Sequence, residues 1–276
     1  MAKMTTIGVL HPGQMGAAVG AALVSTGHDV IWASAGRSQQ SRQRARDAGL
    51  RDVVRVEALI AESEMVLSIC PPDAALHVAR SAIGLGGIFV DANAISPDTS
   101  VDVGEMIGDG YVDAGIIGPP PVRDGTTRLY LSGDAADQVA EHFFGARIEP
   151  RVIDGAGPTA ASALKMVYGA WTKGSIALLL AIEQTALADG VADVLHDEWE
   201  LSQAGLPDRL PAAQREADAK GWRWEGEMRQ IAATFLAAGQ PAGFHEAAAQ
   251  VLSRASTARA GQSTRSSTSI LRAETR

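Results

Sequence analysis

The segment Ile7-Gly8-Val9-Leu10-His11-Pro12-Gly13-Gln14-Met15-Gly16 constrains this chain more than any other, because it reads as a strand, a tight turn and a helix start in direct succession. Thr5–Leu10 is predominantly apolar, as in a strand buried on both faces, and a helix is expected from about Gly13 to Ser25. A helix that begins so soon after a strand presents unpaired N–H groups and the positive end of its dipole beyond the strand end, where a phosphate suits it. Gly13 lets the backbone approach a pyrophosphate and Gly16 lets the helix pack closely on the strand, which is the logic of the dinucleotide fingerprint. The pattern departs from that fingerprint at His11, which stands where a glycine is usual, so the turn is made with a side chain present.

The end of the next strand, His28–Trp32, bears on which dinucleotide is expected. An NAD site places Asp or Glu about 20 residues after the glycines to hold the ribose hydroxyls. Here the chain runs Ala33-Ser34-Ala35-Gly36-Arg37-Ser38, with no acid until Asp47. A guanidinium flanked by the Ser34 and Ser38 hydroxyls matches an extra 2′-phosphate in charge and geometry, so NADP is the expected cofactor.

The rest of the first half repeats the alternation. Arg37–Gly49 has helical composition, Glu64–Ile69 reads as a strand closed by Pro71 and Pro72, and Asp73 is expected to cap a helix through Ala82. Gly87–Asp91, Tyr111–Ile117 and Arg128–Ser132 read as further strands. Strands spaced by helices need crossovers, hence an α/β, Rossmann-like, mostly parallel doubly wound sheet covered on both faces. The pattern changes near Gly155: Pro158 to Ala188 is rich in Ala and Leu, and helical segments are expected at His196–Ala204, Leu210–Ala219, Glu225–Ala238 and Phe244–Arg254. The organisation expected is a NADP-binding domain over 1–157, an all-α substrate and dimerisation domain over 158–254, and a flexible Ser/Thr/Arg-rich tail over 255–276.

Composition closes off other classes. A formal net charge of −8 argues against nucleic acid as a partner, since a phosphate backbone needs a basic face. The apolar run Ile176–Ile182 is far shorter than the roughly 20 residues that span a bilayer. Cys70 is the sole cysteine, which permits no intrachain disulfide and fits a reducing, cytoplasmic setting. No closely spaced histidines form a metal set, so no metal is expected.

Taken in order, Ile7–Gly16, the turn after Ile69, Asp91-Ala92-Asn93-Ala94-Ile95-Ser96-Pro97, Asp113–Pro119 and Lys165 resemble the 3-hydroxyacid dehydrogenases, a superfamily that includes 6-phosphogluconate dehydrogenase and the imine reductases. Trp222–Glu227 and Gly243-Phe244-His245 resemble a subgroup with its own phosphogluconate-dehydrogenase-like C-terminal helical domain. The resemblance implies cofactor contacts at Pro12, Gly13, Gln14, Met15, Ser34, Arg37, Cys70, Pro71 and Asn93, joined by His11 and Ser38 from their places in the two turns, and a catalytic lysine at Lys165. A lysine in an Ala-rich apolar helix near a nicotinamide loses solvation, which favours its neutral form and suits it to exchange a proton with a carbonyl or hydroxyl oxygen.

Around Lys165 the chain departs from the family. The asparagine usual one turn later is Gly169, preceded by Tyr168, and the substrate loop's serine and glycines become Ile117-Gly118-Pro119-Pro120-Pro121. Gly169 and Tyr168 are expected to leave room and one hydroxyl for a bulkier substrate, with Asn93 and the Gly118 backbone orienting its polar end, and Pro119 and His245 beside it. Arg123 and Arg128 are further candidates for an anion, or plain surface charges. Three readings stand open: reduction of a small carbonyl with Lys165 as proton donor, reduction of an imine with Tyr168 as donor, and a non-catalytic NADPH-binding protein. The long apolar helix is expected to need a second copy to cover it, giving a homodimer through the helical domain.

Overall fold

The computed structural model describes residues 4–254, so the tail expected over 255–276 lies outside the described residues. The chain divides into two compact units, one ending at Met166 and one beginning at Val167.

The first unit is built on an eight-stranded sheet of order β3-β2-β1-β4-β5-β6-β7-β8. Strands β1 (Thr6–Val9), β2 (Asp29–Trp32), β3 (Arg51–Asp52), β4 (Met65–Ser68), β5 (Ile88–Asp91) and β6 (Tyr111–Ile117) run parallel. β7 (Arg128–Ser132) is antiparallel to β6, and β8 (Glu149–Val152) is parallel to β7. The mostly parallel sheet matches expectation. The sequence reading misses β3 and β8, which occupy the two edges: β3 is two exposed residues, and β8 carries Pro150 and half-exposed polar side chains, so neither shows an apolar run.

Helices α1 (Gln14–Ser25), α2 (Gln39–Asp47), α3 (Val56–Glu62), α4 (Ala75–Arg80), α5 (Pro97–Ile107) and α6 (Ala136–His142) cover both faces. One face packs Ile7, Val9, Leu23, Met65, Leu67 and Phe143, the other Ile31, Leu59, Val66, Val78, Phe89 and Val103. Asp73 does not cap a helix. It sits inside a 3-10 turn, Pro72–Ala74, that precedes the short α4, because Pro71 holds the chain extended at ψ 146° and delays the helix start. Ser38 and Ser96 do cap, accepting the backbone N–H of Ser41 and Thr99, each at 3.2 Å.

Two carboxylates are buried at the heart of this unit, paired across β5 and β6 as Asp91 and Asp113. Asp113 joins four elements. Its Oδ1 accepts from Ser100 Oγ on α5 at 3.0 Å and from Ser162 Oγ at 2.5 Å, and its Oδ2 accepts from the Ser162 backbone N–H at 2.8 Å and lies 3.1 Å from Ser132 Oγ on β7. Ser162 belongs to the first turn of α7 (Ala160–Ala188), and Ser132 Oγ also accepts the Ala161 N–H at 3.0 Å. The open N–H groups at the start of α7 are thus met by side chains of β6 and β7, and the carboxylate faces the positive end of the helix. Tyr111 extends the network, its hydroxyl 2.7 Å from Ser100 Oγ, and burial with the two carboxylates raises its pKa.

The second unit holds the remainder of α7, α8 (Ala192–Ser202), α9 (Leu206–Ala237) and a last helix, α10, over 243–254. Where two helices are expected, at Leu210–Ala219 and Glu225–Ala238, there is one continuous α9. Ala213, Ala217, Gly221, Trp224, Met228 and Ile231 are buried at spacings of three or four, a single helical stripe, so packing carries the helix through Gly221. Lys173 and Glu227 form an ion pair whose side chains are only 13% and 14% exposed. Trp171 (70%), Leu178 (62%), Leu201 (85%) and Phe244 (80%) stand open on this unit. Among the described residues no helix is long and apolar enough to cross a membrane.

Asp91 generates a prediction. Burial pushes its carboxyl up to about 7 and the Asp113 charge adds to this, while the Asn93 N–H bond at 2.9 Å opposes it; Oδ2 has no partner among the described residues. The folded protein therefore binds this proton more tightly than the unfolded chain, whose carboxyl titrates near its ordinary 3.8. Stability contributed by the neutral acid is present at low pH and falls as pH climbs from 3.8 to about 7. Asp91→Asn is expected to flatten this dependence and to melt higher than the native protein at about pH 8 but not at about pH 4. Parallel melting curves for the two proteins across that range would contradict it.

Candidate functional site

Because β1 to β6 are parallel, the residues that follow them emerge on one edge of the sheet. His11, Pro12 and Gly13 follow β1, Ser34 and Arg37 follow β2, Cys70 and Pro71 follow β4, Asn93 follows β5, and Gly118 follows β6. The strand order turns back between β1 and β4, and such a switch point leaves a crevice at the carboxyl ends of the strands. The fold brings these separate sequence candidates together there.

In the first turn the two glycines serve different ends. A Cβ on Gly16 would lie 2.3 Å from the His11 carbonyl oxygen, so the close seating of α1 on its turn requires glycine. A Cβ on Gly13 would meet nothing within 4 Å, and Gly13 has an ordinary φ of −67°. The protein itself does not need glycine at 13; the open space above its backbone is what an approaching phosphate fills. Gly13 is also the N-cap of α1 and supplies no side-chain hydrogen bond to the helix start, which leaves N–H donors facing the crevice. Burial, followed by the charges of Arg37 and His77, lowers the His11 pKa to about 4, so the imidazole is neutral near pH 7. Its Nδ1 is buried without a partner among the described residues.

The second turn carries Arg37, half-buried, with desolvation lowering its pKa and no hydrogen bond or ion pair to its guanidinium among the described residues. Its backbone N–H is fixed to Ser34 O at 3.1 Å, and the adjoining Ala35 N–H to Val54 O at 2.8 Å. Val54, among the described residues the non-glycine one at positive φ, has φ 66°, a strained conformation for a β-branched side chain, and its carbonyl holds this loop. The Ser38 hydroxyl is engaged in capping α2, also lying 3.1 Å from Ser41 Oγ.

An orphaned imidazole nitrogen, an unpaired cation, an uncapped helix start and open space over Gly13 together fit a dinucleotide with an additional phosphate.

Asn93 joins the ends of β4 and β5. Its Oδ1 accepts the Cys70 N–H at 2.6 Å and its Nδ2 donates to Ser68 Oγ at 2.9 Å, so the amide orders the loop in place of standing open. Burial, then the Asp91 charge, pushes the Cys70 thiol up to about 12, which makes it a poor nucleophile. Gly118 is required: its φ is +127° and a Cβ would lie 2.3 Å from Thr126 O. Thr127 Oγ1 donates to Pro119 O at 2.6 Å, closing the proline-rich loop on β7.

Lys165 belongs to the first turns of α7, and its Nζ donates to Ile116 O at 2.5 Å, at the end of β6. Gly115 makes this possible, since a Cβ there would meet Ala161 O at 2.8 Å and Lys165 Cβ at 3.2 Å. Tyr168 and His245 fall in the second unit: Tyr168 is 45% exposed on α7, while the buried His245 ring lies 4.2 Å from that of Phe235, with its pKa lowered by burial. The room expected beside Gly169 is filled, because a Cβ there would lie 3.1 Å from Ile231 Cδ1 on α9. Among the described residues no group of three or more His, Cys, Asp or Glu is placed to hold a metal. The sequence reading did not single out Arg44, whose Nε donates to Pro12 O at 3.2 Å; its signal was the i, i+3 spacing from Ser41, to whose Oγ its Nη2 donates at 3.1 Å.

Comparison with known proteins meets this geometry from outside. Residues 186–255, which contain Trp222–Glu227 and Gly243–His245, match the family model described as "Domain of unknown function (DUF1932)". An uncharacterized 28.5 kDa protein in the 7S RNA 5′ region of Methanothermus fervidus is 31% identical over 163 residues, a match that spans 58% of this chain and 62% of that protein. A solved conserved protein of unknown function, described as structurally similar to 3-hydroxyacid dehydrogenases, superposes with a TM-score of 0.67 at 27% identity, covering 92% of this chain and 98% of that one. A reductive aminase from Aspergillus terreus, solved in complex with NADPH4, cyclohexanone and allyl amine, superposes with a TM-score of 0.56 at 16% identity, covering 92% and 94%. The chain therefore has the fold of the 3-hydroxyacid dehydrogenases, one that a reductive aminase shares, with a match to the DUF1932 model over its helical region.

Proposed function

We propose that this chain is an NADPH-dependent oxidoreductase that moves a hydride between the nicotinamide and a small carbonyl or hydroxy substrate. The observation that carries the reading is the Arg37 guanidinium, half-buried and unpaired among the described residues, in the same crevice as the open Gly13 turn. A desolvated cation is costly without an anion, and a 2′-phosphate is the anion whose place in the nucleotide matches the end of β2. The fold shared with a reductive aminase solved with NADPH supports the same cofactor.

In this reading the Gln14, Met15 and Gly16 N–H groups and the Gly13 backbone hold the pyrophosphate, with Pro12 and His11 shaping the turn. Arg37, with Ser34 and Ser38 near it, holds the 2′-phosphate. The Cys70–Pro71 backbone, ordered by Asn93, borders the nicotinamide. Bound there, the dinucleotide supplies or accepts a hydride at its nicotinamide ring. Lys165, its ammonium directed by the Ile116 carbonyl, gives a proton to the substrate oxygen as that oxygen gains charge, and takes it back in the reverse direction. The Gly118 and Pro119 backbone, at the end of the same strand, orients the polar end of the substrate. The first domain binds the nucleotide, and Tyr168 and His245 belong to the helical domain.

The helical domain also pairs with a second copy. A mainly apolar groove lined by Ala181, Ile182, Ala186, Val191 and Leu195, with Thr185 and Asp189, lies on helices that also leave Leu178, Leu187 and Val194 exposed, and a second copy would cover such a face. Light scattering is expected to give twice the 28.7 kDa chain mass, and a stable species of one chain mass would contradict this.

With ketones and cyclic imines assayed side by side against NADPH, Lys165→Ala is expected to lower turnover by at least about a hundredfold and to leave NADPH affinity within about twofold. Undiminished turnover, or joint loss of turnover and binding, would contradict the role of Lys165. Tight NADPH binding by the native protein without turnover of any substrate would favour the non-catalytic reading.

A further inference from the structure

We propose that Arg44 is a positioning residue that locks the pyrophosphate turn to the 2′-phosphate loop, so that the two phosphate subsites form one rigid unit; this rests on the nucleotide reading above. The residues that join the subsites lie far apart in sequence. Arg44 Nε donates to the Pro12 carbonyl at 3.2 Å, and its Nη2 donates to Ser41 Oγ at 3.1 Å. Ser41 Oγ lies 3.1 Å from Ser38 Oγ, and Ser38 accepts the Ser41 N–H. Arg37 adjoins Ser38, and its carbonyl is approached at 3.4 Å by Arg42 Nε. Two arginines of α2 thus hold backbone carbonyls, one in each turn, while Arg37 keeps its guanidinium unpaired.

The electrostatics explain why carbonyls are the groups to hold. A turn that receives phosphate needs its N–H dipoles outward and its C=O dipoles neutralised, because an exposed carbonyl oxygen repels an anion. The His11 carbonyl is met within the turn by the Gly13 N–H at 2.8 Å. The Pro12 carbonyl depends on Arg44, and proline offers no N–H of its own to either neighbour. The guanidinium fork holds Pro12 O and Ser41 Oγ at once, which a single ammonium on a flexible stem does poorly. A loosened Pro12–Gly13 turn would weaken any dinucleotide, whether or not it carries the 2′-phosphate.

The experiment titrates the native protein, Arg37→Ala, Arg44→Ala and Arg44→Lys with NADPH and with NADH by fluorescence, alongside melting of each protein without nucleotide. Arg44→Ala is expected to weaken both nucleotides by about tenfold or more, with their affinity ratio held within about twofold. Arg44→Lys is expected to stay nearer to Arg44→Ala than to the native protein, and Arg37→Ala to weaken NADPH far more than NADH. The nucleotide-free melting temperature of Arg44→Ala is expected to remain within about 2 °C of native. Should that variant fail to fold, Arg44→Lys carries the same comparison. Unchanged affinity for both nucleotides would overturn the proposal. So would a loss confined to NADPH, which would make Arg44 a 2′-phosphate ligand, or a melting drop that accounts for the lost binding. If the native protein binds neither nucleotide, the nucleotide reading itself fails.

Discussion

The anchoring of α7 to the sheet by Asp113 is the interaction on which the placement of Lys165 depends. A single buried carboxylate takes the Ser162 N–H and hydroxyl from the first turn of that helix and the Ser100 hydroxyl from α5, with Ser132 Oγ of β7 in reach. The donors aimed at Asp113 oppose the burial that raises its pKa. Gly115 on the same strand lets Ala161 and Lys165 approach the sheet, and Ile116 then takes the lysine's ammonium. Successive residues of β6 thus determine the helix start, its distance and the direction of the Lys165 side chain.

On the nucleotide side the governing constraint is the management of charge at the crevice. Among the described residues the Arg37 guanidinium has no hydrogen bond or ion pair, while neighbouring His11 is held neutral by burial and by Arg37's own field. Burial and the Asp91 charge hold the Cys70 thiol protonated, and Asn93 spends its amide oxygen on the Cys70 N–H and one amide N–H on Ser68 Oγ. The crevice edge therefore offers an anion one guanidinium, a row of backbone N–H groups and little competing charge.

Much of this was legible in the sequence because its signals are local. Apolar strands followed by glycine turns reported the parallel sheet, and the missing acid after β2 drew attention to Arg37. What escaped depends on tertiary neighbours. Edge strands β3 and β8 lack apolar runs because they pair on one side only. The continuity of α9 through Gly221 follows from a buried stripe spanning the whole helix. Gly169 reads as open space in sequence, yet Ile231 occupies it. The roles of Ser100, Ser132 and Ser162 appear only when the fold directs three hydroxyls, from positions up to 62 residues apart, at one carboxylate. Arg44 was hidden for the same reason, since its partner Pro12 precedes it by 32 residues.

The most direct test of the account is calorimetric titration of the native protein with NADPH and then with NADH. The account predicts one molecule of NADPH bound per chain, more tightly than NADH because Arg37 meets the 2′-phosphate. Association with neither nucleotide, or a preference for NADH, would contradict it.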